Sequence, residues 1–75
     1  MIKRSFALAG HRTSVALEME FWQALADEAV RHGSTLAALV ARIDAARTAG
    51  HPLAYALRLH ALANAQSRPP ESSRA

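Results

Sequence analysis

Three side chains alternate along a short segment near the N-terminus: Arg12, Ser14 and Ala16. Val15 and Leu17 hold the apolar positions of the same segment, and this period of two is typical of a half-buried strand. On the outer face of such a strand, an arginine can bond a guanine edge or a phosphate, a serine can bond several bases, and an alanine can contact a thymine methyl. The alternation therefore predicts a strand face that can read DNA, although the polar side of any exposed ribbon would show the same pattern.

The strand at 11–17 is expected to pair with the same strand of a second copy of the chain. It is the one strand that the sequence predicts, and a strand cannot satisfy its own backbone donors and acceptors. A chain of 75 residues without cysteine has a small core and no disulfide, which also favours an oligomer. We therefore predict a homodimer related by a two-fold axis, with higher oligomers left open. Its intermolecular antiparallel ribbon would fit the major groove.

Basic residues precede the strand without any acid among the first 17 residues. Residues 1–10 are predicted to be a flexible basic arm in which Lys3 and Arg4 contact DNA phosphates. His11 flanks the strand and is expected to touch a phosphate as well. The net charge of the chain is only +3, so charge by itself equally fits ordinary solubilising residues.

Three helices are predicted after the strand, and glycines mark the breaks between them. The predicted ranges are about 18–31, 35–48 and 53–65. Together with the strand they make one domain over residues 11–65, and the polar tail 66–75 is predicted to be disordered. The expected core, shared across the dimer, consists of large apolar residues at strand and helix spacing: Val15, Leu17, Trp22, Leu25, Leu36, Leu39, Val40 and Ile43.

The third helix has apolar residues on two sides. One stripe contains Leu53, Ala56, Leu57 and Ala61, and the other contains Tyr55, Leu59 and Leu62. Two stripes indicate either a second contact surface or one stripe that alanine has broadened. The start of the second helix is a further candidate site, because Ser34 and Thr35 precede free backbone N–H groups that can bind a phosphate. Ordinary capping by the same two residues is expected there in any case.

No set of residues in the sequence indicates catalysis. His11, His32, His51 and His60 lack metal-ligand spacing, and there is no glycine-rich phosphate loop. We therefore predict no enzymatic activity, no metal and no cofactor. No apolar run approaches the length needed to span a bilayer or to form a signal-peptide core, so we expect a cytoplasmic protein that does not enter a membrane.

The order of strand, helix, Gly-Ser-Thr turn and helix resembles the ribbon-helix-helix (Arc/MetJ-like) family of DNA-binding proteins. The segments 10–18, 21–25 and 36–44, with Ala56-Leu57-Arg58 near the end, resemble a bacterial subgroup of stand-alone ribbon-helix-helix domains. The resemblance covers roughly residues 3–63 and implies a mostly α-helical homodimer with an intermolecular ribbon and an additional C-terminal helix. It implies base contacts by Arg12, Ser14 and Ala16, and a phosphate clamp at Ser34 and Thr35. Many family members have a polar residue where this chain has Ala16.

The resemblance implies a transcriptional repressor that binds double-stranded DNA. The alternative is a protein-interaction module, or an antitoxin-like dimer that docks a protein partner through the third helix. Tyr55, Leu59 and Leu62 would form that docking surface. The polar tail after Ala65 is shorter than the partner-wrapping tail usual in antitoxins, which argues mildly against that role.

Overall fold

A computed structural model describes residues 1–67 of the chain. Two strands, β1 (Ile2–Leu8) and β2 (His11–Leu17), are followed by three helices. The helices are α1 (Met19–Arg31), α2 (Leu36–Ala46) and α3 (Leu53–Ser67). Gln66 and Ser67, predicted as part of the tail, belong to α3, and the rest of the predicted tail lies outside the described residues. No helix in residues 1–67 is long and apolar enough to cross a membrane.

The prediction of a flexible arm over residues 1–10 is wrong, because residues 2–8 form β1 and pair antiparallel with β2. A two-residue turn connects the strands, and both of its residues have positive φ: 51° at Ala9 and 82° at Gly10. Such turns match the natural twist of a hairpin. The apolar alternation of β1 is interrupted at Arg4, which lies where an apolar residue would complete the pattern. That interruption made the strand look like a charged arm.

The hairpin removes the argument that β2 must pair with another copy. Each residue from His11 to Leu17 lies opposite a β1 residue of the same chain. The sheet within residues 1–67 has two strands, so the edge of β2 that faces away from β1 pairs with no strand there. The expectation of a dimer therefore no longer depends on an orphan strand.

The turn between α1 and α2 has a specific hydrogen-bond pattern. Ser34 N donates to Ala29 O at 2.8 Å, and Gly33 N donates to Val30 O at 3.0 Å. Gly33 has a φ of 64°, the left-handed conformation that this helix-ending motif requires. The motif ends α1 and sets the start of α2, where Thr35 is the N-cap residue.

The core lies between the inner face of the hairpin and the three helices, within a single chain. Seven of the eight residues predicted for the core are buried, and Leu36 is partly buried against them. α3 adds Leu53, Leu57 and Ala61 to this core, which confirms the first of its two predicted stripes. The small hairpin thus gains a hydrophobic floor from helices that follow it in sequence.

Two ion pairs hold α3 against α1. Arg58 Nε lies 3.1 Å from Glu18 Oε1, at the point where β2 leads into α1. Two residues further along α3, His60 Nε2 lies 2.8 Å from Oε2 of Glu28, a residue that is only 5% exposed. Polar pairs therefore fix the position of α3 along α1, while apolar packing supplies most of the burial.

Candidate nucleic-acid interface

The outer face of the hairpin consists of two parallel rows of side chains. Arg12 and Ser14 are exposed on β2, and Ala16 is partly exposed, while Val15 and Leu17 are buried on the other side. Residues directly opposite in an antiparallel pair share a face. The β1 partners of the outer row are therefore on the same surface: Ala7 opposite Arg12, Ser5 opposite Ser14, and Lys3 opposite Ala16.

The two serines at the centre of this face bind each other. Ser5 Oγ and Ser14 Oγ are 2.9 Å apart, and either hydroxyl can be the donor. One of the two protons is used in this bond, so the other hydroxyl keeps its proton for a ligand. The pair therefore presents one free donor and several acceptor lone pairs at the middle of the outer face.

Arg4 lies on the opposite side of the hairpin from Lys3. Its register partner is the buried Val15, and its guanidinium carbon is 5.6 Å from the centroid of the Trp22 ring. Trp22 Nε1 in turn donates to the backbone oxygen of Ile2 at 2.8 Å. The structure therefore does not bring Arg4 together with the predicted base-contacting residues, and its position favours packing over the indole by a cation–π contact.

The remaining predicted contacts lie at two separate places. His11 is exposed at the end of the hairpin, next to the Ala9-Gly10 turn. At the start of α2, Thr35 Oγ1 accepts from Ala38 N at 3.1 Å, which is the capping that the sequence predicted. The N–H groups of Leu36 and Ala37 come before the first helical hydrogen bond, so they are available to an anion.

The charge on the outer face is positive. Lys3 and Arg12 lie near its two ends, and neither row contains a carboxylate. The nearest acid in sequence, Glu18, pairs with Arg58 of α3. Hydrogen bonds from its own backbone and from Arg58 hold the pKa of Glu18 below its ordinary value. Its charge is thereby compensated where β2 ends.

Sequence reasoning identified the β2 row but missed Ser5 and Ala7 of β1. The signal that could have found them is the Ala9-Gly10 pair, because a two-residue loop between two alternating runs is a hairpin signal. Alanine at the first loop position weakens that signal, since asparagine, aspartate or glycine is the usual choice there.

A comparison with protein-family models decides which family this geometry represents. The model of the ribbon-helix-helix domain matches residues 1–65. The chain belongs to the ribbon-helix-helix domain family. No curated protein and no solved structure matches the chain. Ribbon-helix-helix proteins are generally DNA-binding transcription regulators that form dimers, and they are typically non-enzymatic. The resemblance that the sequence suggested is confirmed at the level of the family.

Proposed function

We propose that this ribbon-helix-helix protein is a dimeric, sequence-specific DNA-binding repressor that inserts its β-ribbon into the major groove. The observation that carries the proposal is the outer hairpin face, where Arg12 and the Ser5–Ser14 pair are exposed without any neighbouring carboxylate. Small side chains around them allow the backbone to approach the bases closely. The protein would act in the bacterial cytoplasm, with no cofactor or metal.

Each residue of the face has a distinct role in this proposal. Arg12 bonds a guanine edge, Ser14 bonds a neighbouring base, and Ala16 contacts a thymine methyl. Lys3 binds a phosphate from the β1 row. His11 and the start of α2 at Ser34 and Thr35 bind phosphates beside the groove. Arg4 has no part in this reading face, because it packs against Trp22.

The free edge of β2 supports the proposed dimer. Two such edges related by a two-fold axis would give the strand order β1-β2-β2-β1, with the intermolecular ribbon at its centre. Four strands place the outer two about 14 Å apart, whereas the major groove is about 12 Å wide. The central β2 pair would therefore enter the groove, while Lys3 on each outer strand faces the phosphates of its walls.

The test is binding of the full chain to the DNA upstream of its own coding sequence, compared with scrambled DNA over a salt series. We expect selective binding that weakens steeply with salt. Arg12→Ala should cost about 1–3 kcal/mol and relax the preference for the cognate sequence. Lys3→Ala should weaken binding to both DNAs equally and reduce the salt slope by about one, since each protomer would neutralise one phosphate fewer.

Arg31→Ala is the matched control, because Arg31 is an exposed arginine at the end of α1, outside the hairpin. It should leave affinity and selectivity close to those of the wild type. Equal affinity for cognate and scrambled DNA would exclude sequence-specific binding. Equal effects of Arg12→Ala and Arg31→Ala would exclude the hairpin as the reading element.

A further inference from the structure

A groove of about 510 Å³ runs between the end of α2 and the outer side of α3. Ile43, Ala46 and Ala56 contribute apolar surface, and Tyr55 and Leu59 line it from α3. Volumes of this size are typical of binding sites rather than of packing defects. The hairpin face does not include any of these residues, so the groove is a second surface with a different character.

The second apolar stripe of α3 continues this groove along the helix. Tyr55, Leu59 and Leu62 are 45%, 47% and 49% exposed, and they follow one another at i, i+4 and i+7. The spacing puts the three side chains on one line about 10 Å long. A line of this kind is the pattern into which the apolar side chains of a second helix pack.

The groove is fixed before any partner arrives. Arg47 Nε binds Asp44 Oδ1 at 2.8 Å, and Arg47 Nη1 donates to the backbone oxygen of His51 at 2.7 Å. These two bonds tie the end of α2 to the segment that starts α3. The ring of His51 also packs edge-on against Tyr55, with 5.1 Å between the ring centroids. A preformed wall reduces the entropy cost of binding.

The charge around the groove is positive. Arg42, Arg47, His51 and His60 line it, and no carboxylate does so among the described residues. Arg47 and His60 are paired with Asp44 and Glu28. Arg42 is exposed and makes no hydrogen bond or ion pair within residues 1–67. An apolar line beside an unpaired arginine fits an occupant that combines apolar side chains with carboxylates.

Other segments of the same protein fit the groove poorly. Residues 68–75 contain no large apolar side chain. A second copy that docked the same groove across a two-fold axis would bring Arg42 toward another Arg42. A second copy that docked α1 instead would make a head-to-tail contact, which leaves a free groove at each end of the assembly.

We propose that this groove binds an acidic amphipathic helix of another protein. The helix would place apolar side chains against Tyr55, Leu59 and Leu62, and a carboxylate against Arg42. This surface would let a DNA-bound dimer recruit or obey a protein partner. The proposal stands apart from DNA reading, because none of its residues lies on the hairpin.

The test uses two synthetic helical peptides that carry leucines at i, i+4 and i+7. One has glutamate on both sides of the leucines, and the other has lysine in the same positions. We expect the glutamate peptide to bind the full chain at least about tenfold more tightly, as measured by fluorescence anisotropy. Amide shifts in the spectrum of the labelled protein should concentrate at the end of α2 and on α3.

Two variants with matched controls assign the binding to the groove. Leu59→Ala should weaken binding of the glutamate peptide by about tenfold or more, whereas Val30→Ala, at an exposed apolar residue of α1, should not. Arg42→Gln should remove most of the preference for glutamate over lysine, and Arg31→Gln should preserve it. Neither groove variant should change affinity for DNA.

Three outcomes would overturn the proposal. The first is that neither peptide binds or that both bind equally well. The second is that the amide shifts lie on the hairpin or α1. The third is that Leu59→Ala turns a dimer into a monomer in sedimentation, because the occupant would then be a second copy. A failure of DNA binding with intact peptide binding would remove the proposed repressor and leave the groove unaffected.

Discussion

The hairpin and α3 each have a buried face and an exposed face, but the exposed faces differ in kind. The hairpin exposes serine, alanine and two cations, which water solvates well. α3 exposes Tyr55, Leu59 and Leu62, which water solvates poorly. A polar face of this kind is stable alone and acts by charge and hydrogen bonding, whereas an apolar stripe gains free energy only when something covers it. The two surfaces should therefore respond oppositely to salt: DNA binding weakens with salt, and helix docking is largely retained.

The largest expected effect separates the two faces of α3. Leu57 is fully buried, so Leu57→Ala should lower the free energy of unfolding by about 2–5 kcal/mol. Leu59→Ala, two residues away, removes the same atoms from an exposed position and should cost less than about 0.5 kcal/mol. Urea unfolding of both variants measures the difference. Similar losses would mean that Leu59 is already covered, as it would be in a dimer formed through the groove.

The next effect concerns the anchor that sets α3 against α1. His60→Ala would leave the buried carboxylate of Glu28 without its histidine partner, at a cost of about 1–3 kcal/mol. His51→Ala is the control, since His51 is exposed and its ring contacts only the edge of Tyr55. Urea unfolding at neutral pH compares the two variants. Equal stability of both would show that Glu28 finds another partner or is hydrated.

A smaller effect, with two signs, tests the hairpin turn. Gly10 has a φ of 82°, and a Cβ added there would meet no atom within 4 Å, so Gly10→Ala changes backbone strain and little else. It should destabilise the chain by about 1 kcal/mol. Ala9 has a φ of 51°, and Ala9→Gly should relieve strain and be neutral or slightly stabilising. Thermal unfolding shows both shifts. A loss of stability in both variants would mean that the turn is not a left-handed pair.

The helices were more predictable than the hairpin for a physical reason. Helical periodicity repeats over many residues, so α1 and α2 and most of their buried side chains followed from spacing alone. β1 has only seven residues, and Arg4 breaks its alternation because Trp22 offers a cation–π contact in place of apolar packing. A contact between residues that are distant in sequence decided the structure there. The same applies to Ser5, whose position on the reading face depends on the register of the hairpin rather than on its neighbours in sequence.

The smallest effect tests the junction between the hairpin and α3. The lowered pKa of Glu18 means that its ionised form is favoured in the folded state. Its stabilising contribution is therefore present above the ordinary pKa of glutamate and is lost as the pH falls through the lowered value. Glu18→Gln should flatten this acid-side loss of stability in urea unfolding measured across pH, and high salt should reduce the difference from wild type, since the pair with Arg58 is exposed. Glu20→Gln, two residues further along the same exposed helix start, should keep the wild-type profile. If both variants share one profile, the junction is held by the apolar packing of Leu57 and Leu17 alone, and the ion pair only reports that α3 is already in place.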